Sequence, residues 1–240
     1  AALRLREAGF TVPLFAWLHG AATDFAAAVA ADVDLGVSSV GELARIADGA
    51  ARAGRPASVH LKIDTGLHRN GASPDDWPGL VAAAREFEQQ GRMRIAAIWS
   101  HLADASREAD AAALAEFHAA VAVAERLGVE PPLLHLAASS AGIREPEARL
   151  GLVRFGIAAY GISPFDDVDG RGLGLRPTMT LRAPIIAVDD QIATLAAGSA
   201  DGVLPVDAES GAQIWLEGAR HPVLGVDVDT MRVRLDAAGR

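Results

Sequence analysis

The sequence predicts an α/β protein that gives way, past its middle, to a smaller β-rich domain. Three observations carry that expectation. Apolar strand-like runs alternate with helical stretches across short connectors, the rhythm of parallel βα units. Half of the 240 residues are hydrophobic, enough to fill a sizeable core. Beyond Gly161 the rhythm breaks, as a glycine- and aspartate-rich stretch from Asp166 to Gly174 leads into segments without helical period.

The elements follow in order. Ala1–Gly9 reads as the end of a helix stopped by glycine, and Pro13–Leu18 as an apolar strand, with a helix from His19-Gly20 through about Ala31. Val33–Val37 is the next strand; the serines before Val40 then offer an N-cap with Glu42 three residues on. Val59–Ile63 is a strand that turns at Gly66, and helical spacing runs from Ser73-Pro74-Asp75-Asp76 to Gln90. Arg94–His101 is a strand, 107–127 an alanine-rich helix ended by Gly128, and Leu133–Ser140 and Val153–Ile157 complete the series. Six strands in one rhythm point to a (β/α)8 TIM-type barrel rather than a doubly wound sheet. Such a barrel needs eight, so two strands are expected to precede residue 1. The expected domains are 1–165, a barrel incomplete at its N-terminus, and 175–240, a β-rich domain built on Thr178–Val188, Ala212–Leu216 and Pro222–Leu235.

Composition narrows the function. A net charge of −9 argues against nucleic acid or an anionic membrane as the partner. With no cysteine there is no disulfide framework, thiolate chemistry or cysteine-based zinc site, and no metal site is expected. The chain lacks both a transmembrane-length apolar run and a signal-peptide pattern, so a cytoplasmic location is expected.

The polar residues at the carboxyl ends of the expected strands would meet at one mouth in a barrel: Lys62, Asp64, Arg69, His101, Ser139 and Arg154. Lys62 is the only lysine in the chain. It and Arg69 flank a tight turn, where two cations repel unless an anion bridges them or Asp64 pairs with one. Both readings stand on chemistry alone. His101 is as easily a structural rim histidine. Arg154, on an apolar strand, must find acceptors to offset its desolvation. Ser139-Ser140-Ala141-Gly142 and Gly156-Ile157 offer hydroxyl and backbone N–H groups to a phosphate, although a serine-rich turn also serves as a plain helix cap.

Taken together, Lys62-Ile63-Asp64-Thr65-Gly66-Leu67-His68-Arg69, Ser100-His101-Leu102-Ala103-Asp104-Ala105, His135-Leu136-Ala137-Ala138-Ser139-Ser140-Ala141, Val153-Arg154-Phe155-Gly156-Ile157-Ala158-Ala159-Tyr160-Gly161 and Gly198-Ser199-Ala200-Asp201-Gly202 resemble bacterial alanine racemase. The resemblance spans most of the chain. It implies a pyridoxal-phosphate barrel with a β-domain, acting as a homodimer on a small amino acid in D-alanine supply for the cell wall. By position it implies that Arg154 faces the pyridine nitrogen and that His101 lies against the ring. Ser139 and the backbone of Gly156 and Ile157 would hold the phosphate, and Arg69 and Asp229 would serve the substrate. Lys62 matches a lysine often carbamylated in relatives, so it is not the Schiff-base lysine.

The departures are equally specific. The family's Schiff-base lysine belongs to a segment this chain lacks, and its catalytic tyrosine to a stretch after Val188 where Asp189-Asp190 here meets Gln191. Tyr160 is the only tyrosine. Ser199, Ala138 and Val228 stand where relatives have tyrosine, asparagine and methionine. Two-base racemisation needs a group on each face of the α-carbon, so these 240 residues are expected to be inactive alone and no catalytic residue is assigned. The alternative is an inactive paralogue that binds pyridoxal phosphate or a small metabolite. A decarboxylase of the same architecture would want a carboxylate where Arg154 stands.

Overall fold

A computed structural model describes residues 1–235 as two units, Ala1–Thr178 and a second beginning at Met179. The first is built on five parallel strands: β1 Leu14–Ala16, β2 Val33–Val37, β3 Ala57–Lys62, β4 Met93–Trp99 and β5 Leu133–His135. Their order in the sheet is their order in the chain. That sequential order distinguishes barrel winding from a doubly wound sheet, whose strand order reverses at a switch point. The fold is thus the parallel part of a TIM-type barrel, and β1 and β5 are its two edge strands.

Six strands were expected, and the sixth is a correction. Val153–Ile157 adopts no strand, although Gly151 and Arg154 donate their N–H groups to Leu134 and Ala137 beside β5. A 3₁₀ turn, Ile157–Tyr160, begins within the expected strand and ends at Gly161, whose φ is +81°. The expected run Leu133–Ser140 is likewise split, because Ser139 opens a helix.

The helices form where capping and apolar spacing agree. They are α1 Ala2–Glu7, α2 Phe25–Ala30, α3 Val40–Ala53, α4 Trp77–Gln89, α5 Arg107–Arg126 and α6 Ser139–Arg144. At α3 the Ser39 hydroxyl accepts from Glu42 N–H while the Glu42 carboxylate accepts from Ser38 N–H. Gly54, at φ +66°, ends the helix. Ser106 caps α5 in the same way, through Ala109 N–H. The layer between sheet and helices is filled by Leu35, Val59, Leu61, Leu43, Ile46, Leu80 and Phe117, with Trp77 donating its indole N–H to Ala120 C=O at 2.8 Å.

The glycine- and aspartate-rich stretch 166–174, left outside both expected domains, is folded into the first unit. Asp167 pairs with Arg144 at 2.8 Å, and Gly170 approaches Gly161 so closely that a Cβ would lie 2.3 Å from its carbonyl oxygen. The second unit is an antiparallel sheet of β6 Ile185–Asp189, β7 Ile192–Leu195, β8 Gln213–Leu216, β9 Ala219–Val226 and β10 Met231–Arg234, ordered β6-β7-β10-β9-β8. Its core is Ala193, Leu195, Val223, Met231 and Val233. Asp190 and Gln191, at φ +40° and +69°, close β6 onto β7 with Asp189 opposite Ile192. Positive φ at both central residues marks a type I′ hairpin, whose twist matches the strands it joins.

Candidate cofactor and anion site

The carboxyl ends of β3, β4 and β5 place the candidate residues around one cavity of about 430 Å³. Arg69, His101, Ser139, Arg154, Gly156 and Ile157 line it together with Trp17. Lys62 lies beside this cavity, only 1% exposed. Asp229 belongs to the second unit, between β9 and β10.

The turn after β3 is built by its own backbone. Asp64 N–H donates to Ala72 C=O and Ala72 N–H to Lys62 C=O, each at 2.9 Å. Gly71, at φ +122°, is required there, since a Cβ would stand 2.7 Å from Asp64 N. The Asp64 carboxylate accepts from the N–H groups of Gly66 and His68 and from the His68 ring. Burial alone would raise its pKa, but those bonds hold it below the usual value. Asp64 thus caps its own turn and forms no ion pair with Lys62 or Arg69, so the pairing left open by the sequence does not occur.

Lys62 rests its Nζ 4.7 Å from the Trp99 ring centroid and donates to the side-chain oxygen of Asn70. Burial first, and then the Arg69 charge, bring its pKa down to about 8. Arg154 is lowered to about 10, by burial and then by Arg69, and stays protonated at neutral pH. Three cations therefore stand at a site whose nearby carboxylates are Asp64, committed to its own turn, and Asp104 in the cavity lining, so positive charge is in excess. In physical terms the site is made for an anion.

Arg154 is held from behind. Its Nη2 lies 2.7 Å from Ser100 C=O, 2.9 Å from Leu136 C=O and 3.2 Å from His101 Nδ1, and its Nη1 lies 2.6 Å from His135 Nδ1. A guanidinium only donates, so both histidines accept at Nδ1 and carry their hydrogen on Nε2. His135 Nε2–H then donates to His60 Nδ1 at 3.0 Å, which turns His60 Nε2–H toward Asp34 Oδ2 at 3.4 Å. A file of fixed tautomers runs from the cavity through the strands to β2. Burial and then the Arg154 charge push His101 down to about 4 and His135 to about 2, so both are neutral at physiological pH.

Ser139 is the other built feature. Its hydroxyl oxygen accepts from Gly156 N–H at 3.0 Å and from Ala158 N–H at 3.3 Å. With both acceptor positions used, its own hydrogen is free to be donated into the cavity. Ile157 N–H has no acceptor among the described residues. Ser139 therefore does not cap its helix, whose N-cap is Ala138 without a side-chain bond; it ties α6 to the Gly156 turn.

Comparison with known proteins agrees with this geometry. The family described as alanine racemase, N-terminal domain, matches residues 1–164. The chain belongs to the alanine racemase family. An alanine racemase of Salinispora arenicola (strain CNS-205) is 38% identical over 246 residues, covering 93% of this chain and 65% of the relative. Among solved structures, alanine racemase from the D-cycloserine producer Streptomyces lavendulae superposes with a TM-score of 0.87 at 33% identity, over 99% of this chain and 69% of that one. Alanine racemase from Streptomyces coelicolor A3(2) gives 0.87 at 32%, over 100% and 69%. The chain spans about 65% of the length of the curated relatives it matches.

Several members of the site were not found by sequence reasoning. His60 and His135 sit inside apolar strand runs, at positions of the same facing, and that alternation was the available signal. Asn70 and Trp17 gave none. No metal-binding group of three or more His, Asp or Glu occurs among the described residues, nor any helix long and apolar enough to cross a membrane.

Proposed function

We propose that the first unit is the pyridoxal-phosphate cradle of an alanine racemase, the interconverter of L- and D-alanine. The observation that carries this reading is the convergence of Arg69 and Arg154 on one cavity, with the buried Lys62 beside them and Asp104 as the one carboxylate residue in the lining. The donor set suits the cofactor: hydroxyl and backbone N–H groups at one end for a phosphate, and a protonated Arg154 for a ring nitrogen. When bound, pyridoxal phosphate withdraws electrons from the substrate's α-carbon and so acidifies its C–H bond.

Each residue has a stated task. Ser139 O–H and Ile157 N–H bind the phosphate. Arg154, fixed by its carbonyl acceptors and by His135, presents a hydrogen to the pyridine nitrogen without giving it up, which limits electron withdrawal and favours racemisation over side reactions. His101, neutral, lies beside the ring. Arg69 binds the substrate carboxylate, and Asp229 is proposed as a substrate contact. Lys62, with a lowered pKa between two arginines, suits carbamylation, since a carbamate would supply the missing negative charge. The holoprotein is proposed to be a cytoplasmic homodimer.

The second reading, a paralogue that binds the cofactor without racemising, is favoured by the β6–β7 hairpin. Its two-residue turn leaves no room for the family's tyrosine stretch. Titration of the 240-residue chain with pyridoxal phosphate, followed by absorbance and calorimetry, tests the cradle. Saturable binding weakened at least ~10-fold by Arg154→Met, and much weaker binding of dephosphorylated pyridoxal, are expected. Equal binding of both forms would overturn the phosphate assignment. A coupled assay for D-alanine is expected to show no rate above free cofactor, and a clear rate would remove the paralogue reading.

A further inference from the structure

The turn after β3 contains a residue that the proposed function does not use, Asn70, whose side chain meets Lys62. Lys62 is buried, and every charged group facing it is a cation or is committed elsewhere. Arg69, Arg154 and the neutral His101 stand on the cavity side, while Asp64 is taken by Gly66 and His68. Trp99, opposite Lys62 in β4, offers its ring face. The one hydrogen-bond acceptor for Nζ among the described residues is the Asn70 amide oxygen. A buried lysine is ordinarily matched by a carboxylate, because an unpaired charge is expensive to desolvate. Here the chain supplies a neutral partner from the far arm of the same turn, anchored by the Ala72–Lys62 and Asp64–Ala72 backbone bonds.

We propose that Asn70 is the positioning residue of Lys62, a neutral acceptor that fixes the amine against Trp99 while leaving it able to shed its proton and add carbon dioxide. The addition is balanced as written. The neutral amine's lone pair forms the N–C bond, a C=O π bond of carbon dioxide opens to an oxyanion, and the displaced N–H proton passes to water. An aspartate in place of Asn70 would lock Lys62 as an ammonium, which has no lone pair. The lowered Lys62 pKa agrees with this arrangement but does not by itself name Asn70. The carbon-dioxide step rests on the reading of Lys62 as the carbamate site, whereas the positioning role does not.

A chain with a single lysine permits a direct test. Lysine labelled with ¹³C at Cε gives one lysine signal, and its shift against pH reads the protonation of Lys62 in the full chain. Wild type is expected to titrate near pH 8. Asn70→Asp is expected to raise the midpoint by more than about one unit, and Asn70→Leu to lower it measurably. The two variants change charge and hydrogen bonding separately, so either alone serves if the other does not fold. Midpoints equal to wild type in a folded variant would overturn the proposal. The same samples in ¹³C-bicarbonate report the carbamate, expected in wild type and lost in Asn70→Asp. Shifted midpoints without any carbamate signal would leave Asn70 in its role and remove the carbamate reading. A carbamate with unshifted midpoints would do the reverse.

Discussion

The two units solve the burial problem in opposite ways. The first closes helices over a parallel sheet and buries not only aliphatic side chains but also Lys62, His60 and His135, each with partners accounted for. No buried side-chain nitrogen or oxygen among the described residues lacks a hydrogen bond. The second unit buries a core of five residues and leaves Leu204 78% and Trp215 70% exposed. Its cavity, about 870 Å³, is lined mainly by apolar side chains such as Leu181, Leu204 and Trp215, whereas that of the first unit converges cations. The contrast teaches where chemistry can reside. The thin core holds one buried polar side chain, His221 against Arg234 C=O, whereas the deep core carries the desolvation of Lys62, His60 and His135 together.

The largest effect that would sharpen this contrast compares two tryptophans. Trp77→Ala removes a buried indole and its hydrogen bond to Ala120, and is expected to cost about 3–5 kcal/mol in denaturant unfolding. Trp215→Ala, at an exposed position, is expected to stay within about 0.5 kcal/mol. Similar losses at both would break the comparison.

The second expectation is a pH effect confined to the first unit. His101 and His135 have folded pKa values of about 4 and about 2, below the unfolded value of 6.5. Between those values the unfolded chain binds protons that the folded chain does not, so their contribution is fully present above pH 6.5 and is lost as pH falls. His135, fully buried, gives a slope of about 1.4 kcal/mol per pH unit in this window. Lys62 acts in the same sense in a higher window: unfolded it titrates at 10.5 and folded near 8, so its burial penalty is relieved as pH rises from 8 toward 10.5. Thermal melts from pH 7 to 4.5 are expected to show the first unit losing stability more steeply than the second. A flat profile for the first unit would contradict the buried neutral histidines.

Gly49→Ala comes next. Alanine normally improves a helix interior, but at this position in α3 a Cβ would lie 2.7 Å from Phe25 Cβ and 2.9 Å from its carbonyl carbon. The overlap is expected to win, lowering stability by about 1–3 kcal/mol in chemical denaturation. The smallest expected change has the opposite sign. Gln191→Gly removes a side chain from a left-handed turn position and is expected to stabilise the second unit by about 0.5–1 kcal/mol. A loss at this site would count against the hairpin.

Much of the fold was legible because periodicity is local. The alternation of short apolar runs with capped helices marked five of the six expected strands, and Ser39 with Glu42 marked the start of α3. Val153–Ile157 was misread because Val153, Phe155 and Ile157 are strand-favouring at alternate positions, yet the backbone there bends at Gly156 into a 3₁₀ turn tied to Ser139. Arg69, His101, Ser139, Arg154, Gly156 and Ile157 were legible as rim residues, since the carboxyl ends of successive parallel strands must meet.

The sequence by itself determined the strand rhythm, the turn glycines and the presence of one lysine among many arginines, because those depend on neighbours a few residues apart. Tertiary structure alone decided who pairs with whom. Asp64 turned to its own backbone and left Lys62 to Asn70. His135 and His60 became a tautomer file only when β5 and β3, 75 residues apart in sequence, brought their rings within 3.0 Å. Hydrogen-bond partners and desolvation are properties of three-dimensional neighbours, and no local pattern encodes them.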